Sequence, residues 1–197
     1  MDASILCHPN IPRPLHGTAP RVVKKSPRAW WLNQKRAALA KADNHCQACG
    51  IHKDSAPYKP GILEAHEQYS IDYQRGTMTY TGCVAICAAC HIFIHSGRLT
   101  AMYQKNTVSR RYFRDIMTRG FDVLRRAGLQ PSFSQATAWL SQIGYSPEHV
   151  HEELAKRGIS VPVDLIKWND WRLVVDGEYY KPVLSEQEWE NKYGHPL

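Results

Sequence analysis

Two Cys-x-x-Cys pairs, Cys46–Cys49 and Cys87–Cys90, constrain this chain more than any other feature. Two thiolates three positions apart can share one tetrahedral ion from a single tight turn, and two such turns complete a four-cysteine structural zinc site. The 37 residues between the pairs leave room for strand and loop. The opening stretch MDASILCHPNIPRPLHG lacks a charged start followed by a long apolar core. No secretory signal is therefore read, and an intracellular, cytoplasmic compartment is expected, where disulfides are disfavoured. No run of 18 apolar residues occurs, so no membrane partner is expected.

The second pair sits inside CAACHIFIH, which adds His91 and His95 within the same nine residues, Cys87 to His95. Cys46, Cys49, His91 and His95 also fit a C-x2-C…H-x3-H pattern. A finger of that type needs only about a dozen residues between its pairs, whereas 41 separate Cys49 from His91. It would also leave Cys87 and Cys90 without a role. If the cysteines share one ion, the histidines are free for another. On a helix, residues four apart lie about 40° apart around the axis and share a face, whereas Cys90 and His91 are about 100° apart. One short helix can then serve zinc on one side and a second cation on the other. A third ligand is expected from LEAHEQ. As a strand it places Glu64 and His66 on one face and Glu67 on the other.

A knuckle, a strand ending LEAHE, a second apolar strand and then CAACHIFIH together resemble the HNH endonucleases of the ββα-metal (His-Me finger) fold, in the branch that carries a zinc knuckle. CHIFIHSGR is similar to the metal-binding helix of colicin-type DNases. The resemblance covers roughly residues 30–98 and does not reach the C-terminal hundred. It implies an endonuclease that hydrolyses DNA phosphodiester bonds with a divalent cation (Mg²⁺, Mn²⁺ or Zn²⁺). His66 and His91 match the first and last motif positions, both ligands, and His95 matches the extra ligand of the colicin-type members. Position 67, where the family usually has its general-base histidine, is Glu67. Either Glu67 serves as base or water-orienting group, or His66 is the base and Glu67 a ligand. Gly82 occupies the position of the motif's middle asparagine. His66, Glu67 and His91 are thus the catalytic candidates, and His66, His91 and His95 the ligands of the catalytic cation. Glu64 reads equally as an orienting partner of a ligand histidine and as a solvated strand residue. The alternative function is a zinc-stapled DNA-binding or assembly subunit whose nuclease centre has decayed at positions 67 and 82.

The net charge of +7 favours a polyanionic partner, here DNA, and the positive charge is unevenly placed. Lys24, Lys25, Arg28, Lys35 and Arg36 form one acid-free cluster. Arg110, Arg111 and Arg114 lie in a second, with Tyr112 or Phe113 available to stack on a base. The end of the chain is acidic and offers a docking surface for a larger assembly. The expected class is α+β: a ββα-metal core stapled by zinc, a largely helical C-terminal extension and a terminal β-hairpin at Asp176-Gly177. The expected divisions are a basic extended arm (1–27), the nuclease core (28–98), a basic helical region (99–160) and an acidic hairpin with a short helix (161–197). CVAI is read as the second strand, CAACHIFIHSG as a helix stopping at Gly97, and residues 100–129 as one helix or two broken near Gly120.

Overall fold

The computed structural model describes residues 1–142, 145–158 and 166–193. In chain order the helices are α1 (Pro20–Val23), α2 (Pro27–Ala42), α3 (Ala88–Ile94), α4 (Ser96–Gln104), α5 (Arg110–Arg126), α6 (Phe133–Gln142), α7 (Pro147–Lys156) and α8 (Glu186–Tyr193). The strands are β1 (Glu64–Asp72), β2 (Thr77–Ile86), β3 (Arg172–Val175) and β4 (Glu178–Tyr180), in the sheet order β1-β2-β3-β4. The class is α+β, as the sequence indicates. Among the described residues no helix is long and apolar enough to cross a membrane.

The strands β1 and β2 run longer than the short segments expected. Most of the stretch between LEAHEQ and CVAI belongs to them, because it alternates. Tyr69, Ile71, Met78 and Tyr80 recur at every second position and pack into one core with Leu15, Trp171, Leu173 and Val175. The turn closes where Asp72 Oδ1 accepts the N–H groups of Gln74 and Arg75, at 2.9 and 3.0 Å. Gly76 follows at φ +65°, with Ile166 so close that a Cβ there would lie 2.7 Å from it. β3 joins β2 in parallel, Thr77 opposite Arg172, and returns antiparallel as β4. Asp176 and Gly177 take φ of +53° and +79°, the primed turn expected of Asp-Gly.

The compact units do not follow the linear divisions read from the sequence. One comprises Met1–Asn10, Ala42–His66 and Ala85–Val161; the other comprises Ile11–Lys41, Glu67–Val84 and Pro162–Leu197. β1 passes from one to the other between His66 and Glu67. Nor is 1–27 an extended arm. Asp2 caps a 3-10 turn at Ala3–Cys7, and a second such turn follows at Arg13–Leu15. Leu6 and Leu15, apolar residues within these turns, are fully buried.

The helix carrying the histidines also departs from expectation. It does not run to Gly97: α3 ends at Ile94, His95 takes φ −90° and ψ 44°, and α4 resumes at Ser96. Further on, the interruption falls at 105–109, where Asn106 has φ +54° and the Ser109 side chain caps α5 by accepting Tyr112 N–H. Gly120 does not break α5. It is the place where α3 packs on α5, since a Cβ at Gly120 would lie 2.2 Å from the Phe93 ring.

Candidate metal centres

The first cysteine turn is shaped by backbone bonds. Cys46 N–H donates to Ile51 O (2.8 Å), Gly50 N–H to Cys46 O (2.8 Å), and Cys49 N–H points at Cys46 Sγ from 3.5 Å. Cys87 caps α3 in an extended conformation, φ −71° and ψ 159°, which places Cys90 in the helix's first turn. Gln47 ties the turns together. Its N–H donates to Ala85 O at 3.0 Å and its Oε1 accepts Ala85 N–H at 2.7 Å. The four sulfurs all lie within 4.8 Å of one another, and Cys49 Sγ is 3.9 Å from Cys87 Sγ. Thiolates around one tetrahedral ion with metal–sulfur bonds of about 2.3 Å are separated by about 3.8 Å. This set can hold a metal ion.

The thiols also show why a cation suits them. Hydrogen bonds from Cys49, Cys87 and Cys90 draw the Cys46 thiol far down from its ordinary value. Cys87 and Cys90 are driven up, first by their hydrogen bonds to Cys46 and Cys49. One thiolate therefore forms at the expense of its neighbours. A bound dication removes that conflict by pairing with all four.

The second cluster gathers His66 from β1, His91 from α3 and His95 from the helix break. Their ligand nitrogens lie within 4.8 Å of one another. The ring centroids are 5.2 Å apart for His66–His91, 5.1 Å for His66–His95 and 4.9 Å for His91–His95, all edge-to-face. His66 is buried, His91 half-buried and His95 exposed, so the cluster opens to solvent on one side. Of the two readings of Glu64, the orienting one matches the geometry: its Oε2 is 2.5 Å from His91 Nδ1. That bond leaves His91 Nε2 to serve a cation. Lys59 Nζ lies 2.5 Å from the other carboxylate oxygen. Burial would raise the Glu64 carboxyl, but the hydrogen bonds from Lys59 and His91 outweigh it and hold the group below its usual range.

Glu67 is not among the clustered ligands. Alternation along β1 sends it to the opposite strand face from His66. Burial pushes its carboxyl up, against the pull of Arg21 and a hydrogen bond with Tyr69. At Gly82, in β2, φ is +150° and a Cβ would meet nothing within 4 Å. Sequence reasoning missed His8, whose ring centroid is 4.9 Å from that of His66 and whose Nδ1 is fixed on Pro9 O at 2.8 Å. A lone histidine in LCHPN carries no spacing signal, and only the fold of the first ten residues brings it there.

The basic residues divide between the units. Lys25, Arg28, Lys35 and Arg36 are exposed, but Lys24 is committed to Asp176 (2.9 Å) and Glu178 (3.1 Å). Arg110, Arg111 and Arg114 are exposed along one side of α5. Of the two aromatics among them, Phe113 is fully buried, and Tyr112 is half-buried.

No protein-family model, curated protein or solved structure matches the chain.

Proposed function

We propose that this protein is a metal-dependent endonuclease of the HNH type that hydrolyses DNA. The observation carrying the proposal is the convergence of His66, His91 and His95, with Glu64 behind His91. Three imidazoles from a strand, a helix and a helix break, one of them buttressed by a carboxylate, match a cation site left open on one side for a substrate oxygen. The strand–strand–helix order and the adjacent cysteine set agree with the zinc-knuckle branch of that family. In this reading Cys46, Cys49, Cys87 and Cys90 hold structural zinc and fix the start of α3, so that Cys90 and His91 serve different sites.

When bound at the imidazoles, a divalent cation supplies Lewis-acid stabilisation of the charge that develops on the phosphate and the leaving 3′ oxygen. His66, His91 and His95 hold and orient it. Glu64 keeps the proton of His91 on Nδ1 and so leaves Nε2 as the ligand atom. Lys59, beside Glu64, and the arginines of α5 attract the phosphate backbone. Activation of the attacking water falls to Glu67 or to His66, as the sequence leaves open. The position of Glu67 on the other strand face, outside the ligand cluster, together with the use of His66 as a ligand, favours a neighbouring imidazole such as His8.

The same position of Glu67, together with Gly82, favours the second reading, in which a zinc-stapled DNA-binding subunit retains the imidazoles without turnover. Incubating the purified protein with plasmid and with single-stranded DNA, in Mg²⁺, in Mn²⁺ and in chelator, decides between them. Divalent-dependent cleavage that His91→Ala abolishes while zinc content is kept supports the nuclease. Absence of cleavage on both DNA forms with both metals supports the binding subunit.

A further inference from the structure

Beside the imidazole cluster stands an aromatic pair, Tyr58 exposed and Tyr112 half-buried, that the chemistry above does not use. Tyr58 lies in the loop before β1, is 41% exposed, and has φ +72°, a left-handed conformation that bulky residues rarely adopt. Two contacts hold it there. Its hydroxyl donates to Asp115 Oδ2, and its ring meets Tyr112 edge-to-face with centroids 4.7 Å apart. Asp115 is held in turn by Arg119 at 2.7 Å. Burial and the Asp115 bond push the Tyr58 phenol up to about 12, so it remains a donor at physiological pH. The next residue, Lys59, reaches Glu64, which reaches His91. The pair therefore connects to the cluster through the chain and two consecutive contacts. Its surroundings are cationic: Arg98 lies close enough to Lys59 to oppose its charge. Arg111, next to Tyr112 on α5, is exposed and engages in none of the ion pairs among the described residues, while Asp115 is already paired with Arg119.

Resting on the nuclease reading, we infer that Tyr58 and Tyr112 form a stacking platform for an unpaired base of single-stranded DNA, adjacent to the cleavage centre, with the α5 arginines holding the flanking phosphates. Flat aromatic surface inside a positive field fits a ligand that carries both phosphates and free π-faces. Bases within a duplex are stacked on one another and offer no such face, so the platform selects single-stranded or locally opened DNA. The left-handed backbone at Tyr58 keeps the ring at the surface, where the two contacts on α5 immobilise it before the strand arrives, and the ordering cost of binding falls accordingly.

The test is fluorescence anisotropy of the zinc-loaded protein with a labelled oligothymidylate, the same strand carrying abasic sites, and a duplex of equal length, at one fixed salt concentration and without added divalent cation. Stacking of one base corresponds to a roughly five- to hundredfold change in affinity. The expected results are tighter binding of the single strand than of the duplex, loss of that factor on abasic substitution, and the same loss in Tyr112→Leu, which no longer distinguishes intact from abasic strands. Tyr112→Phe retains full affinity. Equal affinity of the parent protein for intact and abasic strands overturns the platform, whatever the variants do. Base-dependent binding without cleavage under any condition keeps the platform and removes the nuclease reading. Cleavage without base dependence does the reverse.

Discussion

Replacing Glu64 by glutamine tests the cation site without touching a ligand. The carboxylate accepts from His91 Nδ1 at 2.5 Å and from Lys59 Nζ at 2.5 Å, with 22% of its side chain exposed. Glutamine keeps the shape and an acceptor but removes the charge that fixes the His91 tautomer. Carboxylates behind metal-bound imidazoles are worth about 10–100-fold in metal affinity. Partial exposure of Glu64 places it at the lower end, so Mn²⁺ affinity should fall roughly tenfold, equivalent to about 1.4 kcal/mol. The fold should lose a comparable amount. The Lys59 side chain is 53% exposed, so its pairing with Glu64 is largely screened by solvent. The weakened hydrogen bond to His91 gives a loss of about 1–2 kcal/mol, or a Tm lowered by roughly 2–8 °C at this chain length. Calorimetric titration of Mn²⁺ into zinc-loaded parent, Glu64→Gln and His91→Ala proteins measures the affinities directly. The expected ranking is parent, Glu64→Gln, then no measurable binding in His91→Ala, with zinc content equal in all three. Mn²⁺ affinity unchanged in Glu64→Gln while His91→Ala abolishes binding refutes the orienting role. Absence of Mn²⁺ binding by the parent removes the imidazole cluster as a cation site.

Cys46→Ser and Cys90→Ser should each lose the tightly held metal and, with it, cooperative unfolding; metal analysis of freshly purified, reductant-treated parent protein that finds no zinc refutes the assignment. Charge reversal at Arg110, Arg111 and Arg114 together should weaken DNA binding and flatten its salt dependence, by about three units of log–log slope at most, and an unchanged slope assigns the phosphate contacts elsewhere. Gly120→Ala should destabilise the fold by about 1–3 kcal/mol through overpacking, because its Cβ would lie 2.2 Å from Phe93; a denaturation midpoint equal to the parent's contradicts the α3–α5 packing described. Asp115 is held below its usual value, first by Arg119 and then by Tyr58. A depressed carboxyl stabilises the fold above the unfolded-state value of about 3.9 and loses that contribution as pH falls through the folded-state value. Stability measured by urea from pH 5 down to pH 2 should therefore fall less steeply in Asp115→Asn than in the parent, and identical slopes refute the coupling.

Much of the site was legible because its spacing is local. Cys-x-x-Cys fixes two ligands within one turn, and His91 and His95 follow from helical periodicity, although the helix ends between them. Glu64 and His66 share a strand face by alternation alone, which is why Glu64 was already a candidate to orient a histidine. What stayed hidden depends on contacts distant in sequence. His8 reaches His66 only because 3–7 form a turn whose Ile5 and Leu6 are buried, and nothing in a proline-rich opening announces that. Gly120 reads as a helix breaker when propensity is weighed alone, and its retention in α5 follows from the approach of Phe93, 27 positions earlier. The compact units were hidden for a related reason: β1 leaves one unit and enters the other between His66 and Glu67, so no boundary in composition marks the passage.

That passage bears on the chemistry. Because side chains alternate along a strand, consecutive residues cannot both face one site. The family pattern asks positions 66 and 67 to act together, which a strand permits only at its end, where the backbone is free to turn. Here β1 continues from Glu64 to Asp72, so both residues are within regular strand. Histidine at 66 faces the other imidazoles, and the carboxylate at 67 sits with Tyr69 and Arg21. A group that activates water in this chain is therefore more economically supplied from the side of β1 that His66 occupies, where His8 already stands, than by Glu67. Glu67→Gln separates these possibilities: cleavage reduced by about 10²–10⁴-fold marks a base, whereas a rate near the parent's, with His8→Ala severely impaired, assigns water activation to His8.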